Sequence, residues 1–191
     1  MEKIRNGILC VMFCLFCISL KAEEPPIIRK GLLRSTLTIS PAILFKSKQS
    51  FFYLHGNFEG YVSPKLSLTG EAYCSLGNAS SGIPTFTFNH NLFFGASYHI
   101  VKKNNDFYFG LQPGIAITRL YVLTDASRPT RTGANPVVAM VVGYNYYVHR
   151  YFHFFVQTRV VAGQHLFDVR KDLSEFRFSG GLGFNINAIK K

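Results

Sequence analysis

Tryptophan is absent from the 191 residues, and charged side chains make up only 16% of them. Soluble domains usually carry about a quarter. Acids are scarcer still, ten against 21 lysines and arginines. No apolar run reaches the ~20 residues that a spanning helix needs. The longest, Ile8 to Leu20, is interrupted by Ser19 and follows Lys3 and Arg5. That order of cation, short apolar run and small residue at Ala22 is a secretory signal, with cleavage expected after Ala22. Three of the four cysteines, Cys10, Cys14 and Cys17, fall inside it. Cys74 alone is left, which excludes an intramolecular disulfide framework in the exported chain. A nucleic-acid partner, which the net charge of +11 would otherwise invite, is excluded by export. The cations fit anionic lipid head groups better.

What the chain has instead is alternation. From Leu66 to Leu76, the residues Leu66, Leu68, Gly70, Ala72, Cys74 and Leu76 share one face, and Ser67, Thr69, Glu71, Tyr73 and Ser75 share the other. Successive strand side chains point to opposite sides, so this is a two-faced strand. Eight such segments are expected: 33–45, 51–62, 66–76, 86–100, 107–120, 137–148, 152–163 and 176–187. The connections alternate between brief turns (63–65, 101–106, 149–151) and longer loops (77–85, 121–136, 164–175), apart from a short 46–50. This is the plan of an all-β, eight-stranded antiparallel up-and-down transmembrane β-barrel. The expected layout is a signal peptide over 1–22, a short periplasmic leader over 23–32, the outer-membrane barrel over 33–187 and a tail over 188–191.

A soluble lipocalin-like barrel has the same alternation turned inside out. Two features favour lipid outside. The lysines Lys46, Lys48, Lys65, Lys102, Lys103 and Lys171 all fall in expected connections, whereas a wet strand face normally carries many. Aromatics gather near strand ends (Phe45, Phe51, Phe52, Phe86, Phe88, Tyr98, Phe107, Tyr146, Phe152, Phe176 and Phe178), as girdles at two lipid interfaces would require.

The segments Phe51-Phe52-Tyr53-Leu54-His55-Gly56-Asn57, Phe93-Phe94-Gly95-Ala96-Ser97-Tyr98-His99, Gly110-Leu111-Gln112-Pro113-Gly114 and Gly180-Gly181-Leu182-Gly183-Phe184-Asn185-Ile186-Asn187 resemble small outer-membrane β-barrel proteins of Bacteroidota type, within the broad OmpA/OmpX-like barrel class. The resemblance implies the barrel and the cell outer membrane, and no settled activity or catalytic residue. The chain departs from such barrels at its end, where Ala188-Ile189-Lys190-Lys191 replaces the usual final aromatic.

Four charges lie on the polar faces: Glu59, Glu71, Arg159 and Arg177. An enclosed charge needs a partner, so these are the candidates for lumen salt bridges, with Glu71 and Arg159 expected to meet. Eight strands leave an interior just wide enough for side chains, which argues for a filled lumen over a pore or an ion path. Ser97, His99 and Glu59 evoke a nucleophile, base and orienter, as a lipid acyltransferase or deacylase would need, but spacing alone does not make a site. His55, His99 and His153 face inward without metal-ligand spacing. No catalytic residue, metal or cofactor is assigned. Arg119, Arg128 and Arg131 flank or lie in the longest outer loop and are candidates for lipopolysaccharide phosphates. The functional expectation is a structural, adhesive or surface-interaction role exercised through the outer loops, meeting outer-membrane lipid, lipopolysaccharide and an extracellular ligand. The rival readings are a lipid A-modifying barrel enzyme and a soluble periplasmic barrel that binds an apolar ligand.

Overall fold

The structure is a computed structural model that describes residues 28, 30–80, 84–121, 130–167 and 169–188. The expected signal peptide and most of the leader and tail lie outside these residues, as does Arg128. Nine strands form among the described residues: β1 Leu32–Leu44, β2 Ser50–Ser63, β3 Leu66–Asn78, β4 Phe86–Lys102, β5 Asn105–Leu120, β6 Gly133–His149, β7 Phe152–His165, β8 Lys171–Asp172 and β9 Glu175–Asn187. All neighbours are antiparallel. β1 to β7 pair in sequence order, β9 pairs with both β7 and β1, and the sheet therefore closes into an eight-stranded barrel. β8 is a two-residue strand in the last long loop, folded back onto Gln164 and His165.

Closure satisfies the main chain, which an open sheet cannot do in lipid. The seam between first and last strands is not continuous. Pairing breaks off at Thr36↔Gly183 and resumes at Ala42↔Arg177. Pro41, which has no N–H to give, lies in this interval. Side chains bridge it: Thr38 Oγ1 donates to Gly180 O at 2.8 Å and Ser40 Oγ to Phe178 O at 2.7 Å.

The two faces separate cleanly. Leu68, Phe94 and Phe184, apolar and outward, are 57%, 64% and 56% exposed, whereas Glu71 and Arg159 are 4% and 1% exposed. This is the reverse of a soluble barrel with an apolar pocket. The interior is layered. Ile28, Leu32, Tyr61 and Tyr147 seal the short-turn end. Polar side chains fill the middle. Near the long-loop end an apolar group forms that includes Leu44, Phe51, Phe86, Leu120 and Leu173. Phe51 and Phe86 thus correct the expectation of an outward girdle: both are buried inside. Parity explains this. Phe51 shares its face with Tyr53 and His55, and a register shift between Phe86 and Phe88 in the β4–β5 pairing changes the phase of β4 there, leaving Phe86 inward and paired with Leu120. Strands also run further than expected. β4 continues through Lys102, which places one lysine at a strand's last residue by the short turn.

Large inward side chains lie flat because the facing strand is bare. A Cβ added at Gly143 would sit 2.3 Å from the Tyr108 ring, and one at Gly183 would sit 2.2 Å from the His153 ring. Gly143→Ala is therefore expected to overpack the lumen and destabilise by about 1–3 kcal/mol, read as a lower urea midpoint for unfolding. An unchanged midpoint would mean that the ring has room to move.

Candidate functional site: the charged lumen

Seven charged side chains are buried among the described residues: Arg34, Glu59, Glu71, Asp106, Arg159, Glu175 and Arg177. They form three tiers along the barrel axis.

The lowest tier is a ring of four charged or titratable groups. Arg34 pairs with Glu59 and lies 3.3 Å from Asp106 Oδ2. His99 spans the same two acids, with Nε2 3.0 Å from Glu59 Oε1 and Nδ1 2.9 Å from Asp106 Oδ1. Tyr61 OH and Asn145 Nδ2 each donate to Asp106 Oδ2 at 3.0 Å. Ser67 Oγ donates to Glu59 and lies 2.8 Å from His99 Nε2.

The middle tier centres on Glu71. Arg159 Nη2 lies 2.5 Å from its Oε1 and His55 Nε2 2.9 Å from its Oε2. Gln112 Nε2 donates to Glu71 at 3.0 Å and Gln157 Nε2 at 3.3 Å, while Arg159 Nη1 donates to Gln112 Oε1 at 2.6 Å. In the top tier Arg177 pairs with Glu175. Tyr53 OH donates to Glu175 Oε2 at 3.0 Å and receives Asn89 Nδ2 at 3.0 Å. Arg159 and Arg177 are register partners on neighbouring strands. The rings of Tyr53, Tyr73 and Phe93 relieve this like-charge approach. Arg177 stacks over Tyr53 and Tyr73 at 4.4 and 4.3 Å, and Arg159 over Phe93 at 4.7 Å, each a cation–π contact.

The structure therefore brings Glu71 and Arg159 together, gives Glu59 the partner Arg34 and Arg177 the partner Glu175, and adds Asp106 as an acid shared by Arg34 and His99. Arg34 stood on the polar face of β1. Asp106 and Glu175 were read as connection residues because the strands were taken one or two residues too short. The hydroxyl beside His99 belongs to Ser67, not Ser97; the two serines are opposite one another in the β3–β4 register. His55 and His99 hold carboxylates, and no group of three or more histidine, cysteine, aspartate or glutamate side chains is arranged to hold a metal ion among the described residues. Arg119 is exposed on β5, paired in register with Phe88, and Arg131 is exposed just before β6.

Ser67, His99 and Asp106 have the contact order of a hydrolytic triad, but their setting is wrong for one. Glu59 touches both the serine hydroxyl and the imidazole, so negative charge already sits where a nucleophilic oxygen would develop its own. Ser67 is fully buried, beneath the apolar seal of Ile28, Leu32, Tyr61 and Tyr147. The arrangement locks strands together; it does not present a nucleophile to a substrate.

No protein-family model matches this chain. No curated protein matches it either. Solved structures do. It is similar to Neisserial surface protein A, with a TM-score of 0.63 at 11% identity over 80% of this chain and 95% of that one. The outer membrane protein OprG from Pseudomonas aeruginosa gives 0.62 at 12% over 84% and 98%. Ail, the attachment invasion locus protein of Yersinia pestis, in complex with the heparin analogue sucrose octasulfate, gives 0.54 at 10% over 82% and 99%. The fold is that of small outer-membrane barrels. Identity at this level carries the fold alone, and these neighbours lend no support to a Bacteroidota origin.

The tiers make a sharp energetic prediction. Removing one member of a buried pair strands the other charge and costs about 3–5 kcal/mol, whereas replacing both can be nearly neutral. Arg159→Met should lower stability by that amount in urea unfolding. Adding Glu71→Gln should restore much of it. Additive losses would show that the pair is not the dominant interaction of either residue.

Proposed function

We propose that the protein is an outer-membrane barrel with a surface-interaction role, its lumen closed by paired charges and its partners met at the long-loop end. The observation that carries this reading is the inversion of the two faces: apolar residues outward around the whole wall, carboxylates and guanidiniums inward. A belt of exposed leucine, isoleucine, valine and phenylalanine of this extent is far beyond what a monomer exposes to water. In hydrocarbon it becomes the favourable face, and closure leaves no strand edge. The likeness to small outer-membrane barrels supports the same location.

A lumen packed with ion pairs offers no aqueous path, so a porin role has no support. What is left is the rim. At the long-loop end Lys46, Lys48, Arg119, Arg131, Arg170 and Lys171 are exposed, and Asp172 is the one acid there, among the described residues, that is not fully buried. Such a rim suits phosphate or sulfate groups, of lipopolysaccharide in its own membrane or of an extracellular polyanion. The neighbour solved with a sulfated sugar analogue is consistent with that chemistry.

The chain lacking residues 1–22, refolded into vesicles, should insert and resist added protease, and should give no conductance steps in a planar bilayer. Arg119→Gln and Arg131→Gln should each weaken binding to lipopolysaccharide or heparin by about 0.2–1 kcal/mol, an effect that shrinks as salt rises. Binding that is indifferent to both substitutions and to salt would remove the basic rim from the account. A barrel that stays soluble without detergent would remove the membrane.

A further inference from the structure

Between the lowest and middle tiers lies an internal cavity of about 10 Å³, bordered by Arg34, Thr36, Glu59, Tyr108, His153 and Gln157 among others. That is room for about one water molecule. Its wall is polar, unlike the dry apolar cavities that stay empty. Two atoms of this wall have no hydrogen-bond partner among the described residues: Thr36 Oγ1 and His153 Nδ1. Both residues are at least nine-tenths buried. Leaving a buried donor or acceptor unmade is costly, and one bridging molecule at this point removes two such defects together.

We propose that this cavity is a binding site for a single structural water, held by Thr36 and His153. The chemistry of the wall selects water over an ion. Arg34 and Glu59 flank the space with opposite charges and are already paired with each other, so neither is left as an unpaired charge to hold an anion or a cation. The third side is Tyr108, whose hydroxyl donates to Gln157 Oε1 at 2.8 Å, and Gln157 in turn donates to Glu71. The water therefore stands between the Arg34–Glu59 pair below and the Gln157–Glu71 contact above. It fills the gap between two ion-paired tiers, and it explains why a threonine and a histidine border this space where an apolar pair would pack without a defect.

The inference concerns the lumen alone and is tested in detergent micelles, apart from any question of membrane location or surface ligand. Long-lived internal water is counted by oxygen-17 magnetic relaxation dispersion in the refolded barrel, in Thr36→Val and in Thr36→Ser. Thr36→Val should contain one fewer long-lived water than the parent, and Thr36→Ser the same number. Equal counts in the parent and Thr36→Val would overturn the site. Should Thr36→Val not fold, a crystal structure of the parent decides: density for one water within hydrogen-bond distance of Thr36 Oγ1 and His153 Nδ1 supports it, and an empty cavity refutes it.

Discussion

Charge compensation inside a closed wall is the condition on which the rest of this structure depends. Four acids and three arginines are buried where an unpaired ion would cost several kcal/mol. Each acid touches at least one guanidinium or imidazole, and His99 lies between two of them. Except for Arg177 and Glu175, both on β9, the partners come from different strands. Arg34 on β1 joins Glu59 on β2 and Asp106 on β5, while Arg159 on β7 joins Glu71 on β3. The Arg34–Asp106 and Arg159–Glu71 pairs cross the lumen and so fix the relative height of strands that are not neighbours in the sheet, while Arg34–Glu59 ties two adjacent strands. A slip of one residue in any strand turns its lumen face outward, sending charges into the apolar belt and strand neighbours into the interior. Register, filling and orientation are thus set by one interaction.

The outer face obeys the complementary constraint. Outside there is no room for charge, and the strands accept none beyond their ends. Lys102 and Arg119 sit within two residues of a strand terminus. The apolar end seals, Leu32 with Tyr147 at one end and Leu44 with Leu173 at the other, keep water from both ends of the polar column. The consequence for function is geometric. The charged groups of the lumen are buried against one another, and the exposed cations lie at the rims.

Much of this was legible in the alternation, and the rest was hidden for physical reasons. Period two gives each residue's side once a strand's phase is known, and so Glu59, Glu71, Arg159 and Arg177 could be placed inside. It carries nothing about height or about which strand lies across the lumen. Glu59 meets Arg34, 25 residues away on the adjacent strand, a pairing that depends on the β1–β2 register and not on the alternation of either strand. Asp106 and Glu175 were overlooked because strand ends are read from where apolar residues stop, and a buried acid at a terminus looks like the start of a turn. Phe51 and Phe86 show the opposite error. Proximity to a strand end was taken as a sign of the lipid interface, when parity already turned Phe51 inward. Ser67 and Ser97 share parity and height, so only side-chain geometry separates them.

The glycines on the lumen side complete the argument. An eight-stranded interior cannot be lined with large side chains all round; each tyrosine or histidine that crosses it needs a bare stretch of wall to lie against. Gly143 provides one for Tyr108 and Gly183 one for His153, and both rings border the water-sized cavity or the tier beside it. The interrupted seam follows the same economy of space. Where Pro41 withholds a main-chain donor, Thr38 and Ser40 supply hydroxyls that reach the carbonyls of β9, and they do so from lumen-facing positions where small side chains fit. Small residues in this barrel are therefore placed by the volume of what faces them, and the charged tiers hold because those volumes were left free.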